Sequence, residues 1–126
     1  MVGKDITIDL EDWRINCRAA GVIIHNNKIL LHRDINKSYY ALVGGRIKFG
    51  ETSDEAIVRE IKEELGKDVE IIEFITVVEN LFKLNNRNYQ EYLFIYKLEF
   101  KNEKDKLIET TLKNVEGERR WRRSLR

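Results

Sequence analysis

Residues 45–67 read GRIKFGETSDEAIVREIKEELGK, and this stretch decides the fold of the chain. It begins at a glycine turn and continues into a segment with helical periodicity. Thr52 is followed three residues later by Glu55, which matches a capping box and predicts that a helix begins there. Gly66 stands where a glycine commonly caps a helix end. The rest of the chain is predicted to be the scaffold around this helix.

The helical period separates apolar from acidic side chains. The apolar set, which is predicted to pack against the core, is Ile57, Val58, Ile61 and Leu65. The acidic set on the adjoining face is Glu60, Glu63 and Glu64. Like charges at these spacings destabilise a helix by about 0.2–0.5 kcal/mol per pair, so a bound cation would explain the cluster. Taken alone, the same residues would also fit the solvated face of an amphipathic helix.

Composition bounds the class of protein. The 126 residues fit a single domain, 1–126, and a 42% hydrophobic, 36% charged composition is typical of a globular chain rather than a disordered or membrane one. The net charge of +1 gives no overall field for nucleic acid or a membrane surface. Cys17 is the lone cysteine, which excludes an internal disulfide and suits a reducing compartment. With no targeting signal or membrane span visible, we expect a cytoplasmic protein.

Strand signals flank the helix on both sides, which predicts an α+β fold. Residues 1–15 could form an N-terminal arm or an edge strand. Residues 17–25 and 28–33 are predicted to form a hairpin around the turn residues Asn26 and Asn27. Residues 41–45, 69–80 and 89–100 also have strand character, with a weaker run around Trp121. Polar loops are predicted at 34–40, 81–88 and 101–114, where substrate preference would be set.

A spacing pattern within the opening stretch resembles the Nudix box, the signature of the Nudix hydrolases. Its fixed positions here are Gly45, Glu51, Arg59, Glu60, Ile61, Glu63, Glu64 and Gly66. The chain departs from the family at Lys67, where an aliphatic residue is usual, and at Val43, where many members have proline. The resemblance implies a Nudix-like α/β/α sandwich with a mixed β-sheet and a central box helix. The chain ends soon after Trp121, so the family's C-terminal helix is expected to be short or absent.

The resemblance also implies a site. Glu60, Glu63 and Glu64 would hold Mg²⁺, with Mn²⁺ as an alternative, together with the carbonyl of Gly45. Glu60, Glu64 and Arg59 are predicted catalytic residues. Of these, Arg59 would orient the glutamates, and Glu51 would support the turn. The implied reaction is hydrolysis of the phosphoanhydride of a nucleoside diphosphate linked to another moiety.

Four further residues are weaker candidates. Arg33, Tyr40 and Phe82 are predicted to contact substrate, although a solvated arginine and core aromatics are the structural alternatives. Glu91 resembles a position from which some family members supply an extra ligand or general base. Its rivals for that role are Glu79, Glu103 and Asp105.

Two other functions compete with hydrolysis. One is a non-catalytic Nudix-type module that binds a nucleotide, which the intact glutamate set disfavours. The other is an RNA-binding or decapping module, which rests only on the arginines of residues 117–126, a segment expected to be a solvated basic tail. We expect a small nucleotide or nucleoside diphosphate derivative as partner, with neither nucleic acid nor a membrane. A homodimer is left open, because a partner subunit could cover a sheet face without its helix.

Overall fold

The computed structural model describes residues 3–34, 38–106, 112–114 and 117–123. The strands are β1 Thr7–Leu10, β2 Trp13–His25, β3 Lys28–Asp34, β4 Ala41–Arg46, β5 Val69–Leu84, β6 Arg87–Phe100, β7 Leu112–Asn114 and β8 Gly117–Arg123. The helices are α1 Ser53–Leu65 and the single turn α2 Glu103–Lys106. The predicted box helix is therefore α1, and strands precede and follow it.

The strands form one mixed sheet in the order β5-β6-β2-β4-β3-β8-β7, with β1 paired to β2. β2 and β6 run parallel, from Trp13 opposite Asn88 to Ile23 opposite Leu98. The other strand pairs within the described residues are antiparallel. One main helix on a mixed sheet is the architecture that the sequence predicted.

The ends of α1 are fixed as its sequence predicts. The Thr52 backbone N–H donates to Glu55 Oε1 at 2.8 Å, which completes the capping box. Gly66 adopts the left-handed conformation, with φ of 68°, and its N–H donates to the Lys62 carbonyl at 2.9 Å. These caps hold the helix to its 13 residues.

The core lies between α1 and the central strands. Ile57 and Ile61 are fully buried, and Val58 and Leu65 pack at its margin. On the sheet side the core contains Ala19, Ile23, Leu30, Val43, Val69, Leu98 and Phe100. The Ser53 and Tyr96 hydroxyls, 2.6 Å apart, also join the start of α1 to β6. The apolar face of α1 therefore sets how its acidic face is presented.

The first hairpin was predicted and the second was not. β2 and β3 turn at Asn26 and Asn27, which both have positive φ as a tight hairpin turn requires. The predicted polar loop at 81–88 is wrong, because β5 continues to Leu84 and β6 begins at Arg87. Between them a second asparagine pair, at positions 85 and 86, also has positive φ. The sequence predicted too long a loop here because charged residues flank the two-residue turn.

Both ends of the chain contain β-strands. Of the two predictions for residues 1–15, an arm or an edge strand, the strand is found: β1 pairs with β2, and Trp13 is the first residue of β2. Residues 117–123 pair with β3 as strand β8 and are not a tail, whereas residues 124–126 lie outside the described residues. The predicted loop at 101–114 contains α2 and β7, and its residues 107–111 lie outside the described residues. Residues 35–37 of the predicted loop at 34–40 also lie outside them.

No second long helix follows the sheet within the described ranges, which agrees with an expected C-terminal helix that is short or absent. Neither described helix is long and apolar enough to span a membrane.

Candidate active site

Two adjacent glycines at the end of β4 have different surroundings. A Cβ on Gly44 would overlap the carbonyl oxygen of Ala19 on the neighbouring strand β2. A Cβ on Gly45 would instead overlap the carboxyl group of Glu60. Gly44 is therefore required by strand packing. Gly45 is required because the Glu60 carboxylate lies directly against the backbone of β4.

Arg59 is the centre of the polar network. Its guanidinium donates five hydrogen bonds, which is the full donor capacity of an arginine. The acceptors are Glu51 Oε1 and Oε2, Glu60 Oε1, Glu63 Oε2 and the Arg46 carbonyl, at 2.7, 3.0, 3.0, 3.1 and 3.0 Å. Arg59 therefore has no donor left for a substrate and acts on the neighbouring carboxylates. This placement matches an orienting role.

Glu51 joins the turn before α1 to the helix itself. Its side chain is only 4% exposed. The carboxylate accepts the bidentate pair from Arg59 and the Lys48 backbone N–H at 2.9 Å. The hydrogen bonds from Arg59 lower the pKa of Glu51, so the carboxylate is charged and fully paired. Glu51 thus fixes the glycine turn relative to α1.

Glu60 is more shielded from solvent than Glu63 on the same helix face. Its side chain is 14% exposed, against 54% for Glu63, and Glu64 is half-buried. Burial raises the pKa of Glu60, an effect opposed by Arg59 and reinforced by the charges of Glu63 and Glu64. The site therefore contains a carboxylate whose negative charge is only partly compensated.

A cavity of about 180 Å³ lies beside β4 on the central strands. Glu91 on β6 faces it, and Arg18 on the adjacent strand β2 approaches the Glu91 carboxylate with Nε at 3.7 Å from Oε1. Its remaining lining is small or apolar, from Ala19, Ala20, Ala41, Leu42, Gly44 and Leu93. Arg18 was not among the predicted site residues. Within the predicted strand 17–25 Arg18 is the one arginine or lysine, and this was the signal that could have identified it.

The predicted substrate-contact residues fall in two places. The Arg33 guanidinium lies over the Tyr40 ring, 5.4 Å from its centroid, so the structure brings these two together. Phe82 is on the β5–β6 hairpin and stacks on Tyr89, with ring centroids 4.9 Å apart.

The three rivals of Glu91 have different environments. Asp105 is 5% exposed and paired with Lys67 at 2.9 Å, which indicates a structural role. Glu79 is an exposed residue of β5, and Glu103 is exposed at the start of α2. Glu91 is the one of the four that lines the cavity described above.

Comparison with known proteins gives the family. The NUDIX domain model matches residues 16–122, which is most of the chain. The chain belongs to the Nudix family. The Nudix box and its surrounding sheet are therefore family features, and the resemblance inferred from residues 45–67 is confirmed.

Two curated relatives show what the matching region resembles. The chain is 46% identical over 65 residues to an ADP-ribose pyrophosphatase from Methanocaldococcus jannaschii, covering 46% of this chain and 38% of that protein. It is 36% identical over 70 residues to an RNA pyrophosphohydrolase from Ruthia magnifica, covering 54% of this chain and 37% of that protein. The chain thus spans well under half the length of these relatives.

The fold comparison agrees with the sequence comparison. A crystal structure of a MutT protein from Bacillus halodurans superposes with a TM-score of 0.65 at 18% identity, covering 86% of this chain and 68% of that one. At this identity the similarity establishes the Nudix fold alone.

Nudix hydrolases generally use a divalent metal ion. Carboxylate and carbonyl oxygens are the donors that such hard cations prefer, so Glu60, Glu63, Glu64 and the Gly45 carbonyl fit an ion chemically. Within the described residues, however, no three acidic, histidine or cysteine side chains are gathered closely enough to coordinate one ion. Glu60 and Glu63 instead share Arg59. Coordination would require their side chains to rotate on α1.

Proposed function

We propose that the chain hydrolyses the phosphoanhydride of a nucleoside diphosphate linked to another moiety, using Mg²⁺ or, as a substitute, Mn²⁺. The observation that carries this proposal is the placement of Glu60. Its carboxylate lies against the Gly45 backbone on one side and receives Arg59 on the other. Two further glutamates follow within one turn of the same helix. A helix face that only meets solvent needs neither the close approach nor the orienting arginine.

The reaction has a simple balance. The oxygen of a water molecule forms a bond to one phosphorus of the anhydride, and the bond from that phosphorus to the bridging oxygen breaks. The water loses one proton, and the bridging oxygen leaves on the other phosphate. A bound divalent ion supplies charge neutralisation on the phosphates and lowers the pKa of the attacking water.

The proposal assigns a separate role to each group of site residues. Glu60, Glu63, Glu64 and the Gly45 carbonyl hold the ion. Arg59 orients Glu60 and Glu63. Glu91 is assigned to take the proton from water, because it is the one of the four candidate carboxylates that lines the cavity beside β4.

Substrate contacts are assigned to two places that the structure separates. Arg33 and Tyr40, which contact each other, are proposed to bind the phosphates and an adjoining ring. Phe82, stacked on Tyr89, is proposed to extend the aromatic surface. We also propose a cytoplasmic location, because a single cysteine cannot form an internal disulfide and suits a reducing compartment.

The chemistry is tested with ¹⁸O-labelled water. The chain is incubated with Mg²⁺ and a panel containing ADP-ribose, nucleotide sugars, dinucleoside polyphosphates and nucleoside triphosphates. Mass spectrometry is expected to find the label in a phosphate-containing product of at least one compound. No label in any phosphate product across the panel contradicts the proposal. Binding of a nucleotide without turnover would support the non-catalytic module instead.

The metal assignment is tested with Glu64→Gln. This change removes a negative ligand from the half-buried edge of α1, so we expect turnover to fall by about 100-fold or more with little loss of stability. Glu99→Gln is the matched control, because Glu99 is exposed on β6 away from α1. Equal activity in the two variants would exclude Glu64 as a ligand.

One comparison favours a second candidate. The relative from Ruthia magnifica is named an RNA pyrophosphohydrolase, and a 5′-triphosphorylated RNA offers the same phosphoanhydride bond. Such an oligonucleotide therefore belongs in the panel. Release of pyrophosphate from it, faster than hydrolysis of the small compounds, would favour the RNA substrate.

A further inference from the structure

β5 is an edge strand with an unusual surface. Within the described residues it pairs only with β6, so its other backbone edge has no strand beside it. Long edge strands are normally protected by charge or by a covering element. β5 instead carries seven large apolar side chains that are each more than two-fifths exposed: Ile72, Phe74, Ile75, Val77, Leu81, Phe82 and Leu84.

The irregularities of β5 lie in its first half. The pairing with β6 shifts register between Ile71 and Glu73 and again between Phe74 and Thr76. From Thr76 to Leu84 the register is uninterrupted over nine residues. Bulges hinder the addition of another strand, whereas a regular segment favours it. The outer half of β5, residues 76–84, is therefore the part suited to pairing.

We propose that residues 76–84 of β5 pair antiparallel with the same segment of a second copy of this chain, around a twofold axis at Asn80. A twofold interface brings the same surface of both copies together, so each residue of the strand must be compatible with the residue that lies opposite it in the antiparallel second copy. An axis at Asn80 pairs all nine regular residues. With an axis at Val78, the pairing would cover only the five residues 76–80, because the second bulge directly precedes Thr76. An axis at Glu79 would place two like charges directly opposite each other, which is destabilising.

The side-chain pairs of this register are compatible. On one face Val78 lies opposite Phe82 of the second copy, and the two Asn80 amides meet and can donate to each other. On the other face Glu79 lies opposite the second copy's Leu81, with Lys83 and Glu79 of the second copy on its two diagonals, so it has one opposite and one like charge nearby. The pairing thus covers apolar side chains that are otherwise exposed and places no like charges directly opposite each other.

The apolar side chains of the paired segment supply part of the area that a dimer needs. A fully buried large apolar side chain removes roughly 150–250 Å² from water, so the four half-exposed ones within residues 76–84, Val77, Leu81, Phe82 and Leu84, offer on the order of 400 Å² per copy. A standard interface buries about 800 Å² per partner. The backbone edge and the polar side chains of the same nine residues add to this area, so a second copy is expected to bind as a weak dimer.

The oligomeric state is the first measurement. Light scattering on the purified chain is expected to give twice the chain mass, and a monomer at high micromolar concentration overturns the proposal. The variant Leu81→Glu should be a monomer, because residue 81 lies directly opposite Glu79 of the second copy in this register and the substitution places like charges there. Leu10→Glu is the control, since Leu10 is 73% exposed on β1 and outside the interface. A Leu81→Glu variant that stays dimeric, with wild-type circular dichroism, overturns the location.

Cross-linking tests the register. In a Cys17→Ala background, Asn80→Cys is expected to give a disulfide-linked dimer under mild oxidation, because directly opposed Cα atoms lie about 4.5–5.5 Å apart in an antiparallel pair. Thr76→Cys is the matched control, since eight residues of strand would hold the two Thr76 positions roughly 27 Å apart. Efficient cross-linking of Thr76→Cys, or failure of Asn80→Cys in a dimeric protein, overturns the register.

Discussion

The box segment, residues 45–66, and the β5–β6 hairpin are stabilised by different kinds of interaction. In the box segment the polar groups bind one another over short distances in sequence, with Arg59 at the centre. In the hairpin a long backbone ladder is supported by aromatic pairs, Phe74 with Tyr96 and Phe82 with Tyr89. The box segment therefore has its conformation fixed from within, whereas the outer strand of the hairpin exposes surface that another chain can cover.

The largest effect on the box segment is expected at two adjacent glycines, Gly44, which directly precedes the segment, and Gly45, which begins it. Gly44→Ala places a methyl group against the backbone of β2, which cannot move aside, so we expect a loss of about 3 kcal/mol or more in the free energy of unfolding. Gly45→Ala meets only the Glu60 carboxyl group, which can rotate away. We expect about 1 kcal/mol of lost stability and a fall in kcat of about 100-fold or more, because Glu60 is displaced.

Urea unfolding and turnover of the same two proteins check this pair. A Gly45→Ala variant with normal kcat would mean that the position of Glu60 is irrelevant to the reaction. A Gly44→Ala variant as stable as the wild type would contradict the close approach of β4 to β2.

The next largest effect is expected at Glu51. Glu51→Gln removes the charge that faces Arg59 in a site where the carboxylate is 4% exposed. Removing one partner of a buried ion pair costs about 3–5 kcal/mol, and we expect about 2–3 kcal/mol because Glu60 and Glu63 still partly compensate Arg59. Urea unfolding at neutral pH measures the loss, with Glu99→Gln as an exposed control. A change equal to that of the control would show that the pair does not stabilise the turn.

The box segment could be predicted from sequence, whereas the tight turn of the β5–β6 hairpin and the pairing of β6 with β2 could not. Helix caps and helix faces depend on residues within a few positions of each other, so Thr52, Glu55 and Gly66 were sufficient to place α1. The parallel neighbours β2 and β6 are far apart in sequence, and no local pattern encodes their pairing. For this reason Arg18 was missed as the neighbour of Glu91. Asn85 and Asn86 repeat the turn signal of the first hairpin, but the charged residues beside them favoured a longer loop.

The asparagine turn of the β5–β6 hairpin should have a moderate effect. Asn85 has a φ of 51°, a conformation that costs most non-glycine residues about 1–2 kcal/mol. Asn85→Ala is therefore expected to lower the free energy of unfolding by about 1 kcal/mol. Asn85→Gly should match or exceed the wild type. Thermal unfolding of both variants decides the point, since equal melting temperatures for Ala and Gly would mean that the turn adopts another conformation.

The smallest effect is expected where the β1–β2 hairpin contacts the tip of the β5–β6 hairpin. Asp9 accepts two hydrogen bonds from Arg14, at 2.6 and 2.9 Å, and pairs with Arg87 at 2.9 Å. The hydrogen bonds from Arg14 lower the pKa of Asp9. A lowered pKa in the folded state gives stability that is present above the ordinary aspartate value, about 3.9, and is lost as the pH falls through the lowered one. Asp9→Asn should therefore be slightly less stable than the wild type at pH 7 and equal to it near pH 2. Because Asp9 is exposed, salt should also narrow the difference at pH 7. A difference between the two proteins that grows on acidification, measured by urea unfolding across this range, would show that the charge of Asp9 does not hold the hairpins together.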